Sequence, residues 1–133
     1  MKHLFFLLVF GFPLYLFAQS IPSNPNLTDK NGKRQGKWTI LYDKEWKIIQ
    51  DPLNAQFYRL ITYKDDKPMG RVYDMYANGK IQMETTLTSD RPQDVMNGKT
   101  IFYNEKGEKQ KIQVFENGIL VDEVLVDVKG REI

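Results

Sequence analysis

The Asn-Gly pairs Asn31-Gly32, Asn78-Gly79 and Asn117-Gly118 punctuate a chain whose apolar residues recur at every second position between them. Both residues of such a pair tolerate positive φ, which gives a tight turn the twist that paired strands carry. Period-two alternation places one row of side chains on each face of a strand. Trp38, Ile40 and Tyr42 form one row against Lys37, Thr39 and Leu41. Phe57, Arg59, Ile61 and Tyr63 alternate with Tyr58, Leu60 and Thr62, and Ile81, Met83, Thr85 and Leu87 alternate with Gln82, Glu84 and Thr86. Ile112 and Val114 face away from Gln113 and Phe115, and Val124, Val126 and Val128 line a late strand. Asp65-Asp66-Lys67-Pro68, Lys106-Gly107 and Lys129-Gly130 mark further turns. No window carries a sustained helical period, and residues 43–50 are the single place where a helical turn is conceivable. The expected fold is all-β: antiparallel hairpins forming an extended twisted sheet.

The start of the chain has a different character. Met1-Lys2-His3 is basic, residues 4–17 are uncharged and mostly apolar, and Ala18 precedes polar Gln19-Ser20. That is the layout of a signal peptide over 1–18, too short for the ~20 residues that span a bilayer. Its removal leaves a net charge near zero, with neither His nor Cys. Zinc sites of Cys and His, Ser-His-Asp or Cys-His catalysis and disulfide frameworks are excluded on composition. Lys and Arg are interleaved with Asp and Glu, so there is no broad footprint for nucleic acid. Residues 19–28, with Pro22 and Pro25, read as a flexible tether, and 29–133 as one hairpin domain. No later apolar run is long enough to cross a membrane, so an exported protein is expected, periplasmic, at the outer-envelope surface or secreted. A leader left uncut would act as an anchor.

Three segments align on a glycine. Gly36-Lys37-Trp38 leads to Tyr42; Gly70-Arg71-Val72 leads to Tyr76 and Gly79; Gly98-Lys99-Thr100 leads to Tyr103 and Gly107. The first glycine of each unit permits a bend, and the second turns the chain, as Gly118 does later. Stacking such hairpins gives a continuous apolar face that one alone lacks. The pattern Gly36-Lys37-Trp38…Tyr42 and Gly70…Tyr76…Gly79-Lys80 resembles MORN-type repeats, in particular the bacterial MORN-like family of YwqK-like antitoxins. The resemblance implies a repeat sheet and a protein partner rather than an activity. The aligned glycines are 34 and then 28 residues apart, wider than a compact repeat, so inserted strands or loops are expected.

Without His and Cys, chemistry falls to carboxylates. Asp65-Asp66, Asp122-Glu123 and the Asp90/Asp94 pair are the candidates for a glycan hydrolase, which needs two carboxyls opposed across a cleft. Neighbours on a strand face opposite ways, and Asp65-Asp66 sits in a turn. Asp90, Asp94 and Asn97 offer oxygens to calcium but lack the Asp-x-Asp-x-Asp-Gly loop. No catalytic residue, metal or cofactor is therefore expected. Trp38, Tyr42, Tyr76 and Tyr103 read as core aromatics, whereas Tyr58 and Tyr73, with Arg59 and Arg71, read as exposed partner-binding residues. The apolar stretch 118–128 is either a central strand or an edge open to strand addition. The expected function is a non-catalytic binding module for a protein or envelope component, antitoxin-like or not. The alternatives are a carboxylate-dependent glycan hydrolase and a lipid-headgroup-binding structural protein.

Overall fold

The computed structural model describes residues 21–127, 129 and 131–133. The leader, the cleavage point after Ala18, Val128 and the Gly130 turn position lie outside the described residues. The strands are β1 (Leu27–Thr28), β2 (Arg34–Tyr42), β3 (Ile48–Ile49), β4 (Phe57–Lys64), β5 (Lys67–Tyr76), β6 (Ile81–Ser89), β7 (Val95–Met96), β8 (Gly98–Tyr103), β9 (Lys109–Glu116) and β10 (Ile119–Leu125). They form one antiparallel sheet in the order β1-β2-β4-β5-β6-β8-β9-β10, with β3 beside β2 and β7 beside β6. Each main strand pairs with the next in sequence, as the hairpin pattern requires. Among the described residues there is no α-helix; the one helical element is a 3-10 turn, Pro52–Asn54, capped by Asp51. The conceivable helical turn over 43–50 is instead a β-turn entering β3. No helix of the described residues is long and apolar enough to cross a membrane.

The wide repeat spacing has a structural cause. Between β2 and β4 the chain inserts β3 and the 3-10 turn, and between β6 and β7 it inserts a long hairpin loop. The aligned glycines Gly36, Gly70 and Gly98 all have positive φ, and Gly70 lies where the β4–β5 register shifts. A Cβ at Gly70 would meet nothing within 4 Å, so the backbone alone demands glycine there. Gly70→Val is expected to cost about 1–3 kcal/mol, against less for Asp65→Ala, measured by urea denaturation. Equal costs would contradict the bulge account.

The turns obey a rule that the Asn-Gly pairs only half reveal. Asn117 and Gly118 both have positive φ and make a two-residue turn, as expected. Asn31 and Asn78 do not; there the glycine alone is left-handed. In those loops the residue three before the glycine pairs with the one after it: Asp29 with Lys33, Tyr76 with Lys80, Asn104 with Glu108. This is a type I turn closed by a left-handed bulge residue. Asp29 and Asn104 Oδ1 also accept the backbone N–H groups two and four residues on. Asp43 does the same toward Glu45 and Lys47, but its left-handed position holds Trp46, with φ 62°. Trp46 lies flat on Phe57, centroids 4.1 Å apart, and leans on Tyr42. Trp46→Ala and Trp46→Gly both lose that stack, but only Ala keeps the strain of a Cβ at positive φ. The glycine variant should be the more stable by about 1 kcal/mol in thermal melts. The reverse order would place the strain elsewhere.

The core lies on the face of the sheet built from Ile61, Tyr63, Val72 and Leu87, with Trp38, Ile40 and Met96 packed against them. Trp38 meets Tyr63 edge to face at 5.6 Å. The four expected core aromatics Trp38, Tyr42, Tyr76 and Tyr103 are half-buried, and three of them have their polar ends in use. Trp38 Nε1 donates to the Leu27 carbonyl, Tyr76 Oη to the Tyr103 carbonyl, and Tyr103 Oη to Glu84. These bonds tie each hairpin to the next.

The two outer edges of the sheet are treated differently. Of the stretch 19–28, read from sequence as a tether, residues 24 and 26–28 are held against β2. Leu27 and Thr28 pair with Gln35 and Arg34. The Asn26 side-chain amide then donates to the Thr39 carbonyl and accepts from the Thr39 N–H, replacing a strand residue. β3 closes the rest of that edge against Leu41 and Tyr42. At the far side Ile119–Leu125, within the apolar stretch 118–128, is the edge strand β10 rather than a central strand.

Candidate functional site

Alternation along β2, β4 and β5 sets the site. Arg59 shares the core-facing row with Phe57, Ile61 and Tyr63, and the antiparallel register places it directly opposite Asp74 on β5. Two charges thus enter the core side together. Arg59 Nε donates to Asp74 Oδ1 at 2.7 Å and Nη2 to Oδ2 at 3.0 Å. The same guanidinium donates to both oxygens of Asp94, at 2.9 and 2.8 Å. A second cluster lies near the start of β2. Arg34 Nη1 and Nη2 hold Asp90 at 2.9 and 2.8 Å, its Nε bonds Asp66, and Nη1 also donates to Tyr63 Oη. Tyr63 Oη in turn donates to Asp90. Asp90 and Asp94 belong to the loop between β6 and β7, so each arginine pins one end of that loop over the sheet. Bidentate geometry suits this task because the planar guanidinium matches a carboxylate fork.

The protonation states follow from these contacts. Burial weighs against the Asp90 carboxylate, but hydrogen bonds from Arg34 and Tyr63 outweigh it and hold its pKa below the ordinary range. Asp66 is likewise lowered, chiefly by its bond from Arg34. Burial pushes the Asp74 carboxyl up against the pull of Arg59. Burial also raises Tyr63, which its bond to Asp90 reinforces, and pushes Tyr42 up to about 12. Both phenols are neutral at physiological pH.

Acid is expected to loosen the loop. Asp66 and Asp90 have folded pKa values below their unfolded ~3.9, so the unfolded state takes up protons first. Their stabilisation is complete above about pH 5 and is lost as the pH falls through the lower folded values. Asp74, raised on folding, works the other way and favours the folded state in acid. Through Asp66 and Asp90 the melting temperature should drop between about pH 5 and pH 2, and drop less in Asp90→Asn. A flat profile in the wild type would contradict the assignment.

Beneath the pinned loop runs a half-open groove of about 670 Å³ along β2. Trp38, Ile40, Tyr42 and Ile48 give it apolar walls, and Asn24, Asn26, Gln50, Arg34, Arg59, Asp90 and Asp94 give it polar ones. Ile48, 64% exposed, stands at its rim. This volume lies within the range of ordinary ligand sites, about 300–1,000 Å³. Among the described residues no buried side-chain nitrogen or oxygen lacks a hydrogen-bond partner, and no cluster of acidic residues has metal-ligand geometry.

The residues expected at a partner surface are divided by the sheet. Tyr58 is 2% exposed, flanked by Leu41 and Met75 on neighbouring strands of the face opposite the core. Its expected exposure is corrected: both faces of β4 are covered at this point. Arg59 is 6% exposed, on the other face, and engaged by two aspartates. Arg71 and Tyr73 are half-buried and line a shallower hollow of about 350 Å³ with Lys37, Leu60 and Thr62. Arg71 there donates to Thr86 and to the Lys99 carbonyl. The four residues therefore do not form one patch. The carboxylate candidates are also distributed: Asp90 and Asp94 bind separate arginines, Asp65 accepts from Gln35, and Asp122 accepts from the Glu123 N–H. Arg34 and Asp74 were not singled out from the sequence. For Asp74 the available signal was a charge opposite to that of Arg59 at inward positions of adjacent strands. No family model, curated protein or solved structure matches this chain.

Proposed function

We propose that this chain is a non-catalytic binding module, exported and MORN-like in its repeats, whose groove along β2 receives a protein segment or another envelope component. Antitoxin-like neutralisation of a partner is one form such binding would take. The observation that carries the reading is that both carboxylates at the groove are held by forked arginine bonds. A general acid needs a carboxyl that keeps its proton near neutral pH, whereas Asp90 is held ionised. What the groove offers a ligand is aromatic and aliphatic surface from Trp38, Tyr42 and Ile48, with fixed polar groups around it. Sites of that composition bind and orient without needing to transfer protons.

The test uses the rim residue Ile48, which sits outside the ion-pair clusters. Wild type and Ile48→Glu are immobilised and exposed to envelope extract, with circular dichroism confirming equal folding. A component retained by wild type and lost by at least about tenfold on the variant supports the groove. Equal retention contradicts it. Release of reducing ends from envelope glycans by the purified chain would replace the binding reading with the hydrolase.

A further inference from the structure

We infer that the free edge of β10 is a docking site for an extended segment of another protein, apolar with two adjacent basic residues at its middle, which adds to the sheet as a strand. The two ends of the sheet carry the argument. The β2 edge is closed along its length by β1, the Asn26 amide and β3. The β10 edge has no such cover: among the described residues, only the tail approaches it. There Val126 bridges Glu132 and the Ile133 N–H donates to the Leu125 carbonyl. This edge therefore already accepts an antiparallel strand at its first rungs. No described residue continues that ladder along residues 119–124.

The side chains beside those rungs define what fits. Ile119, Leu120, Val121 and Leu125 are exposed large hydrophobics on one short strand. Asp122 and Glu123 stand among them, and β10 has no basic residue. The Glu123 N–H is bonded by the Asp122 carboxylate rather than by β9, so the acidic pair guards an outward-facing donor. Guards of this kind protect edges from indiscriminate pairing. They also select. A second copy of β10, antiparallel in the registers that pair most residues, would set Asp122 and Glu123 against themselves, and like charges directly opposite are destabilising. A strand carrying Lys or Arg at those rungs relieves the repulsion and draws the Asp122 carboxylate off the Glu123 N–H. Backbone pairing supplies the affinity, and alternate side chains supply the choice. This edge is the opposite one from the groove, so the two sites stand or fall separately.

The experiment is selection of a random dodecapeptide library displayed on phage against the immobilised chain. Enriched peptides are expected to carry neighbouring Lys or Arg residues flanked by apolar ones. Their affinity should fall by about tenfold or more on Glu123→Pro, which removes the outward N–H without removing a bond to β9. The double variant Asp122→Lys with Glu123→Lys, both sites exposed, should switch the enriched set to acidic peptides, and this arm stands even where the proline variant does not fold. No enrichment, enrichment indifferent to all β10 variants, or enriched peptides without basic residues would overturn the inference. Sedimentation showing a wild-type dimer that Asp122→Lys with Glu123→Lys alters would assign the edge to a second copy and overturn it equally.

Discussion

Arg59→Met should cost about 3–5 kcal/mol of folding free energy, the range seen when one partner of a buried ion pair is removed. The reason is local. Asp74 is 3% exposed and receives both its strong hydrogen bonds from Arg59. Without that guanidinium, a carboxylate stays in the core with no donor, or it takes up a proton to avoid the desolvation penalty. Asp94 would keep partial access to water, its side chain being 32% exposed, so the larger share of the loss belongs to Asp74. The companion variant separates the two effects. Arg59→Met with Asp74→Leu removes both charges and fills the space with apolar atoms, and should recover most of the loss, because well-packed hydrophobic replacements of buried pairs are often neutral. Urea denaturation of the wild type and both variants measures this. A domain of this size has about 5–15 kcal/mol in total, so the single variant should be visibly fragile. A single variant within 1 kcal/mol of wild type would show that the pair is solvated and the core account wrong.

Asp90→Ala has the second largest expected effect, about 2–3 kcal/mol, with a local signature as well. Asp90 is the acceptor for two nitrogens of Arg34 and for Tyr63 Oη, and its side chain is 8% exposed. Removing it leaves Tyr63 Oη short of an acceptor while Arg34 retains Asp66. The loop between β6 and β7 loses the tie at its first end and keeps the Asp94–Arg59 tie at the other. Hydrogen exchange should therefore rise in residues 89–94 and along β7, and not in β9 or β10. The groove depends on that loop, so partner retention should weaken together with protection. Uniform exchange across the sheet would mean that the loop is not the element Asp90 holds.

Much of the sheet was legible because its signals are local. Of the row Ile81, Met83, Thr85 and Leu87, the last three are buried on the core side, whereas a register shift sets Ile81 opposite Met75; Gly36, Gly70 and Gly98 hold the left-handed backbone their spacing implied. The wide spacing announced insertions, which are β3 with the 3-10 turn and the pinned loop. Other features needed the third dimension. Alternation says that Tyr58 and Arg59 face opposite ways, but not that both ways lead inside. Trp46 in a glycine position is invisible to a search for glycine, although Asp43 at the head of that turn repeats the chemistry of Asp29 and Asn104. The groove was not legible at all. It depends on residues far apart in sequence, Arg34 with Asp90 and Arg59 with Asp94, whose pairing only the register and the bent loop bring about.

On the proposed reading Asp90, held as an anion by Arg34 and Tyr63, is a fixture of a binding surface rather than a proton donor. Carbonyl-carbon NMR of the aspartate side chains across an acid titration tests this most directly. The Asp90 resonance should keep its ionised shift until the pH is below the usual carboxylate range. A midpoint near neutrality, moving toward the ordinary value on replacement of a neighbouring groove residue, would make Asp90 a candidate acid catalyst and contradict the reading.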